Sequence, residues 1–386
     1  MNHPHISNII ENELIGSQCA LCDVTLTSSN DSKEHIIPNS IGGRKKIKGF
    51  ICQDCNNKYG RTWDLDLAKE LNPLALLLNI TRERGNSPSQ KFKTISGEEV
   101  VLNHDGSLNL PKPVFNKERI GDKTLYNFTA RSHKEAKEML ANLKKKHPKL
   151  DLSTLETVEK SASIDPLHIS FTFGSGNTGK SIVKSTLALA KKNGIDAALC
   201  KNALNYLRNT DKKDCFGLYY EKDLILNRPE DKVFHCVAIS GNSQTGLLLG
   251  YVEFFSVQRM VVCLSDEYTG AAIKDIYAID PLSGEEIYLE FEIPLRKSDM
   301  ELVYDHKKIP PDSMEEALDT PMRISRQNDV KRELNRIACD TVDYAFEKIR
   351  LRGDEALSLD NVEDFTNYAL EKLRPFLVKR TSNANE

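Results

Sequence analysis

The most informative part of the sequence contains Cys19-Ala20-Leu21-Cys22, then Glu34-His35-Ile36-Ile37-Pro38, then Cys52-Gln53-Asp54-Cys55-Asn56. It contains two Cys-x-x-Cys pairs separated by 29 residues. Two close pairs of thiolates are what a tetrahedral zinc site needs. Thiolates repel one another unless a cation neutralises them, so Cys19, Cys22, Cys52 and Cys55 predict a structural zinc ion. A closed four-cysteine site offers no open coordination position, so any catalysis must use other residues.

An acid–histidine pair lies between the two cysteine pairs. The imidazole of His35 titrates near neutral pH, which makes it a candidate general base for attack of water on a phosphodiester. The alternative is a structural histidine beside the zinc site. Side chains alternate along a strand, so Glu34 and His35 are expected on opposite faces, with Glu34 reaching a metal ion or orienting the fold. Asn56 follows the second pair at the start of a predicted helix, from which it can return to the same metal.

The combined pattern resembles the zinc-containing branch of the HNH endonuclease family, over about residues 19–66. The resemblance implies a ββα-metal fold, in agreement with the local order strand, Gly42-Gly43 turn, strand and helix. It also implies hydrolysis of nucleic-acid phosphodiesters with one divalent metal ion. His35 matches the general base of the family, Glu34 the usual aspartate and Asn56 the final residue of the family motif. One carboxylate and one amide form a hard oxygen site that suits Mg²⁺ or Mn²⁺.

The chain departs from the family pattern at one position. The middle asparagine of the family lies on the second strand, where this chain has no asparagine. Asn39 is the only asparagine between His35 and Cys52. Either Asn39 takes over the support of the histidine, or that role is absent.

Basic side chains of the same unit form a candidate phosphate clamp. They are Arg44, Lys45, Lys46 and Lys48, with Arg61 on the following helix. Such contacts add affinity for a nucleic acid without selecting a sequence. The alternative is the solvated tip of a hairpin.

A second motif, Gly174 to Ser181, fits the phosphate-binding pattern G-x-x-x-x-G-K-S. The chain after it predicts helices and then antiparallel strands, at Val233–Ser240, Gly246–Phe255 and Met260–Leu264, whereas a nucleotide-binding domain needs a parallel sheet. A glycine turn before a lysine-bearing helix is therefore favoured, and a nucleotide-regulated nuclease is kept as an alternative.

Composition restricts the class of protein. The chain has 386 residues and a net charge of −3, but residues 1–150 carry 23 Lys and Arg against 17 Asp and Glu. A basic first part beside an acidic remainder suggests a polyanionic partner. Nine cysteines, of which five are scattered singly, are typical of a reducing cytoplasm. The N-terminus does not have the layout of a signal peptide, and charged residues interrupt the most apolar stretch, Leu247–Leu264, so we expect no membrane association.

The predicted fold class is α+β, with three regions. Residues 1–82 are expected to form the ββα-metal nuclease domain, 83–310 an α+β recognition or regulatory domain, and 311–386 a helical region. The leading hypothesis is a metal-dependent endonuclease acting on DNA, in restriction or anti-phage defence, as a homodimer or with a regulatory partner protein. The rival hypothesis is a non-catalytic zinc-ribbon module that binds nucleic acid.

Overall fold

The computed structural model describes residues 17–121, 123–131, 133–150, 165–174, 176–208, 214–350, 357–359 and 361–383. These residues combine helices with antiparallel sheets, which confirms the predicted α+β class. They divide into two compact units, Met1–Pro321 and Met322–Glu386. The partition into 1–82, 83–310 and 311–386 stays a prediction. The arm or helix expected before residue 17 lies outside the described residues.

The first part of the chain has the predicted order of strand, turn, strand and helix. The elements are β1 (Glu34–His35), β2 (Lys46–Ile47), α1 (Gln53–Gly60) and α2 (Trp63–Leu77). Strand β1 pairs antiparallel with β2, so that His35 lies opposite Lys46. The connection turns at Gly42, whose φ is +101°, and a Cβ at Gly43 would lie 1.7 Å from the Ile37 carbonyl oxygen. The two glycines therefore allow the turn to close tightly behind β1.

Next comes a region of short strands and one helix. Its elements are β3 (Gln90–Thr94), β4 (Glu99–Leu102), β5 (Leu108–Asn109), β6 (Val114–Ile120), β7 (Lys123–Thr129), α3 (His133–Lys146) and β8 (Leu167–His168). Strands β5, β4, β3 and β8 form one sheet in that order, while β6 and β7 form a separate two-stranded ribbon. The predicted helix at residues 132–146 is present as α3, although its proposed N-cap, Ser132, lies outside the described residues.

The largest sheet follows. Its elements, with the helices around it, are α4 (Thr178–Lys192), α5 (Lys201–Leu207), β9 (Phe216–Leu218), β10 (His235–Asn242), β11 (Leu247–Phe254), β12 (Gln258–Ser265), β13 (Ile273–Ile279) and α6 (Lys297–Tyr304). The strand order is β13-β10-β11-β12-β9, and each neighbouring pair is antiparallel. The three successive strands predicted from the sequence are β10, β11 and β12, joined by short turns as expected.

Helix α4 packs across this sheet and connects it to the first part of the chain. All eight residues of the central strand β11 are buried. A Cβ at Gly250 would lie 2.6 Å from the Cγ2 of Thr186, so the absence of a side chain lets α4 lie directly on the strand. On the other face, buried residues such as Phe234 and Tyr251 form an apolar core. This close packing places the polar end of α4 against α2.

His235 connects the sheet to the turn after β1. Its side chain is fully buried, and Nε2 donates a hydrogen bond to the Ile41 carbonyl at 2.7 Å. Nδ1 accepts from the backbone N–H of Phe255 at 2.8 Å. Burial lowers the pKa of His235 to about 4. The imidazole is therefore neutral near pH 7 and serves as a fixed link between the two substructures.

The chain ends in two long helices, α7 (Ser313–Lys348) and α8 (Val362–Asn383). Within the second unit, the rings of Phe346 and Phe365 lie 5.1 Å apart, and the Tyr344 hydroxyl donates to Glu371 at 3.3 Å. The apolar spacing within the predicted helical region 311–386 predicts two amphipathic helices, at residues 326–350 and 360–378, and both are present. Helix α7 begins earlier than expected. Within the described ranges, no helix combines the length and the apolar character that crossing a membrane requires.

Several predicted boundaries are wrong. Pro73 lies within a predicted helix and predicts a kink or a break there, but α2 is unbroken from Trp63 to Leu77, and Leu74 and Leu76 are fully buried beyond the proline. Burial of this apolar segment outweighs the hydrogen bond that proline cannot donate. The strand predicted over Leu167–Phe173 is limited to two residues.

Candidate active site

The four paired cysteines converge at one point. The sulfur atoms of Cys19, Cys22, Cys52 and Cys55 all lie within 4.8 Å of one another. The backbone N–H of Cys52 donates to the Cys19 sulfur at 3.3 Å, and the N–H of Cys55 donates to the Cys52 sulfur at 3.4 Å. Burial and the neighbouring thiols raise the pKa of Cys55, so four thiolates at this point require a cation. The donor set fits a structural zinc ion, as predicted.

Glu34 points into the protein on the other side of β1 from His35, and it is almost completely buried. Its carboxylate is hydrogen bonded to the ammonium group of Lys184, which is 1% exposed. The same ammonium group donates to Asp64 at 2.7 Å, and Ser181 donates to the other Asp64 oxygen at 2.6 Å. Helix α4 therefore holds two carboxylates, one from β1 and one from α2, around a single cation.

This buried cluster has unusual electrostatics. Burial raises the pKa of Glu34, and the nearby Lys184 opposes that rise. Burial would lower the pKa of Lys184, but Asp64 and Glu34 together raise it above its ordinary value. We therefore describe Lys184 as charged. Its charge favours the ionised form of Glu34, the form that a metal ligand needs.

His35 lies on the open side of β1, with 21% of its side chain exposed. Its Nε2 lies 3.3 Å from a carboxylate oxygen of Glu83, and the same oxygen accepts from Lys46 at 2.7 Å. Lys46 and His35 lower the pKa of Glu83, so this carboxylate is ionised and accepts. It follows that Nε2 carries the proton, which leaves the lone pair of Nδ1 available as a base.

The protonation state of His35 suits this role. Burial lowers its pKa below the ordinary value, Glu83 raises it in part, and Lys46 lowers it further. The imidazole is therefore neutral at physiological pH, as a general base must be.

Asn39 supports this arrangement indirectly. Its side-chain oxygen accepts a hydrogen bond from the backbone N–H of Glu83 at 3.0 Å. The asparagine thus fixes the residue that contacts the imidazole, and does not contact the imidazole itself. Of the two possibilities left open for Asn39, this contact favours support of the histidine, through Glu83.

A cleft of about 510 Å³ brings the candidate residues together. Glu34, His35, Asn39, Asn56 and Asp64 all line it. Asn56 lies in the first half of α1, and within the described part of the chain no hydrogen bond engages its side-chain amide. Its oxygen is therefore available to a metal ion. The hard oxygen donors of Glu34 and Asn56 at one cleft fit Mg²⁺ or Mn²⁺.

Arg82 also lines the cleft. Burial lowers the pKa of its guanidinium group, and the buried Nε has no hydrogen-bond partner among the described residues. A buried N–H donor without a partner is uncommon in folded proteins. The guanidinium group nevertheless places positive charge at the wall of the cleft.

Most of the predicted phosphate clamp is engaged within the protein. Arg44 donates to the Thr81 carbonyl at 3.0 Å, Lys45 pairs with Glu286 at 2.9 Å, and Lys46 pairs with Glu83. Within the described residues, the side chains of Lys48 and Arg61 have no such partner. As phosphate ligands, all five residues remain a prediction.

The Gly174–Ser181 segment contacts carboxylates of α2. The Gly174 N–H donates to Glu70 at 2.8 Å, and the Asn177 amide donates to Asp66 at 2.9 Å. The Ser181 hydroxyl donates to Asp64, and the Lys180 ammonium lies 5.4 Å from the centre of the Trp63 ring. The described part of this segment thus docks α4 on α2, and the following sheet is antiparallel. Nothing in this arrangement favours a nucleotide site.

Sequence reasoning missed four residues of the cleft or its immediate support: Asp64, Arg82, Glu83 and Lys184. Lys184 is 150 positions from Glu34, and no motif spacing links them. The available signal was a lysine in a predicted helix with the apolar residues Ile182, Val183 and Leu187 beside it.

A comparison with protein families agrees with this geometry. The family model described as HNH endonuclease matches residues 19–72, which contain the four cysteines, Glu34, His35 and Asn56. No curated protein and no solved structure matches the chain. Residues 19–72 of this chain are therefore similar to an HNH endonuclease domain, with a four-cysteine cluster that fits zinc.

Proposed function

We propose that the chain is a divalent-metal-dependent endonuclease that hydrolyses phosphodiester bonds of DNA, with His35 as the general base. The observation that supports this proposal most strongly is the convergence of His35, Glu34 and Asn56 on one cleft of the HNH domain. The lowered pKa of His35 supports it independently.

The roles of the protein groups follow from their contacts. Glu83 holds the Nε2 proton of His35, so that Nδ1 accepts a proton from the attacking water. Glu34 and Asn56 would hold Mg²⁺ or Mn²⁺, which supplies Lewis-acid neutralisation of the phosphate and the leaving 3′ oxygen. Arg82 lines the cleft, and its guanidinium group supplies positive charge for the phosphate. Lys184 favours the ionised form of Glu34 and holds its carboxylate in place, and it therefore acts as a positioning residue.

The biological setting is a further part of the proposal. The range of the HNH family supports a role in restriction or anti-phage defence. All nine cysteines are free, which supports a reducing compartment such as the cytoplasm. A single ββα-metal site cuts one strand, so cleavage of both strands requires a homodimer or two successive events.

The test is cleavage of supercoiled plasmid by purified, zinc-loaded protein in Mg²⁺, in Mn²⁺ and in EDTA. We expect nicked circles to appear before linear DNA in either metal, and no conversion in EDTA. Retarded migration without any conversion in either metal would instead support the zinc-ribbon module. Equal cleavage in EDTA would contradict a metal-dependent mechanism.

A further inference from the structure

The positive charge of the first 150 residues is not located in the HNH domain. Residues 1–110 carry 12 Lys and Arg against 13 Asp and Glu, which is a net charge of −1. Residues 111–150 carry 11 Lys and Arg against 4 Asp and Glu, which is a net charge of +7. The whole basic excess therefore belongs to the segment that contains β6, β7 and α3, which we call the basic arm.

The ribbon of the basic arm is largely exposed, and Tyr126 and Phe128 of β7 are half-buried. Every residue of β6 is exposed, including Phe115 (48%) and Ile120 (59%). Antiparallel sheets usually bury one face, and an isolated two-stranded ribbon is only marginally stable. Exposed apolar side chains between basic ones are typical of a binding surface.

Helix α3 and the ribbon are joined at one edge. The Tyr126 hydroxyl lies 3.2 Å from Nε2 of His147, just after α3, and their rings lie 5.1 Å apart. Leu143 of α3 is buried. With this face turned inward, Lys145 and Lys146 at the end of the helix remain exposed. The arm thus presents basic groups on a defined scaffold.

We propose that the basic arm is a second DNA-binding surface, which holds the duplex outside the catalytic cleft. The choice of DNA as the ligand rests on the proposed nuclease function. Charge complementarity supports it, because a net charge of +7 matches a polyanion. Shape also supports it, since a two-stranded ribbon fits the major groove, and strands of seven residues span about 23 Å. The arm supplies the phosphate contacts that Arg44, Lys45 and Lys46 cannot make while they pair within the protein.

The experiment compares Lys145→Gln/Lys146→Gln with a matched control, Lys222→Gln/Lys232→Gln, which removes the same charge from exposed positions elsewhere. Both pairs are introduced into full-length His35→Ala protein, so that a fluorescent duplex stays intact during the measurement. Affinity is measured by anisotropy between about 50 and 200 mM salt. Two lost phosphate contacts lower the slope of log K against log salt by about 1.8, and the control leaves it unchanged. Circular dichroism verifies that both variants are folded.

The outcomes separate this inference from the proposed nuclease function. An unchanged slope in the arm variant, with cleavage by the wild type, overturns the arm surface alone. A reduced slope, with no cleavage by the wild type, supports the arm surface and overturns the proposed function. An equal decrease of the slope in the arm and control variants means that binding follows the overall charge of the protein, which also overturns the arm surface. The same salt slope is measured for a ribbon variant, Lys117→Gln/Arg119→Gln, and this second measurement does not depend on the stability of α3.

Discussion

Replacing Lys184 by methionine tests the buried cluster that links the HNH domain to α4. The substitution keeps the length of the side chain and removes its charge. It leaves Glu34 and Asp64, which are 4% and 14% exposed, close together without their shared cation. Removing one partner of a buried ion pair costs about 3–5 kcal/mol, since an uncompensated charge remains. We expect the free energy of unfolding to fall by that amount.

The structure provides a local probe and a matched control. Trp63 is the only tryptophan in the chain, is buried and precedes Asp64 in α2, so its fluorescence during urea unfolding reports on this region. In the control, Lys201→Met, the lost partner is Glu267, and the two side chains are 59% and 66% exposed. An exposed pair contributes about 0–1 kcal/mol, so the control is expected to change little.

Two further measurements sharpen this prediction. Neutralising all three groups, in Glu34→Gln/Asp64→Asn/Lys184→Met, is expected to restore much of the stability, because no buried charge remains. Burial raises the pKa of Glu34, and without Lys184 nothing in the cluster opposes that rise. Folded Lys184→Met then binds more protons than the unfolded chain. Its loss in free energy of unfolding, relative to the wild type, is therefore expected to become smaller as the pH falls. If Lys184→Met lowers the free energy of unfolding by no more than Lys201→Met does, the buried cluster does not stabilise the fold as described.

The geometry predicts the effects of three other substitutions. Glu83 raises the pKa of His35, so Glu83→Gln is expected to move the acidic limb of the pH–rate profile of cleavage to lower pH, whereas an unmoved limb would mean that another group limits the rate. Cys55→Ser is expected to release zinc and unfold the HNH domain, as measured by zinc content and Trp63 fluorescence, while Cys339→Ser, at an exposed thiol, changes neither. The folded-state pKa of His235, about 4, lies below its unfolded value of about 6.5. The contribution of His235 to the free energy of unfolding is therefore complete above pH 6.5 and is lost as the pH falls through 4. In a comparison of urea unfolding at several pH values, His235→Gln is expected to remove about 3 kcal/mol of that pH dependence, and an identical dependence in the variant would contradict the buried neutral imidazole.

The sequence was sufficient to predict those parts of the site that depend on residues close together in the chain. The cysteine pairs could be assigned because a tetrahedral ion needs two short-range pairs, and the turn between β1 and β2 could be assigned because it contains Gly42 and Gly43. The antiparallel order of β10, β11 and β12 followed from turns too short for crossovers.

Long-range partners could not be predicted in the same way. Lys184 contacts Glu34 only because α4 packs across β11 and reaches α2, and no periodicity in the sequence encodes that encounter. Arg82 and Glu83 follow α2 in an irregular segment without a motif. The basic residues of the hairpin were predicted to be free, but Lys45 pairs with Glu286, which is 241 residues away.

The most direct test of the central claim compares cleavage by wild-type protein and by His35→Ala at equal zinc content and equal DNA binding. General-base catalysis contributes about 10²–10⁴-fold to a rate, so we predict a loss of that size in Mg²⁺. Among the described residues, the hydrogen-bond partner of this side chain is Glu83 and not a zinc ligand, so fold and zinc content are expected to stay unchanged. Cleavage by His35→Ala at the wild-type rate would contradict the account.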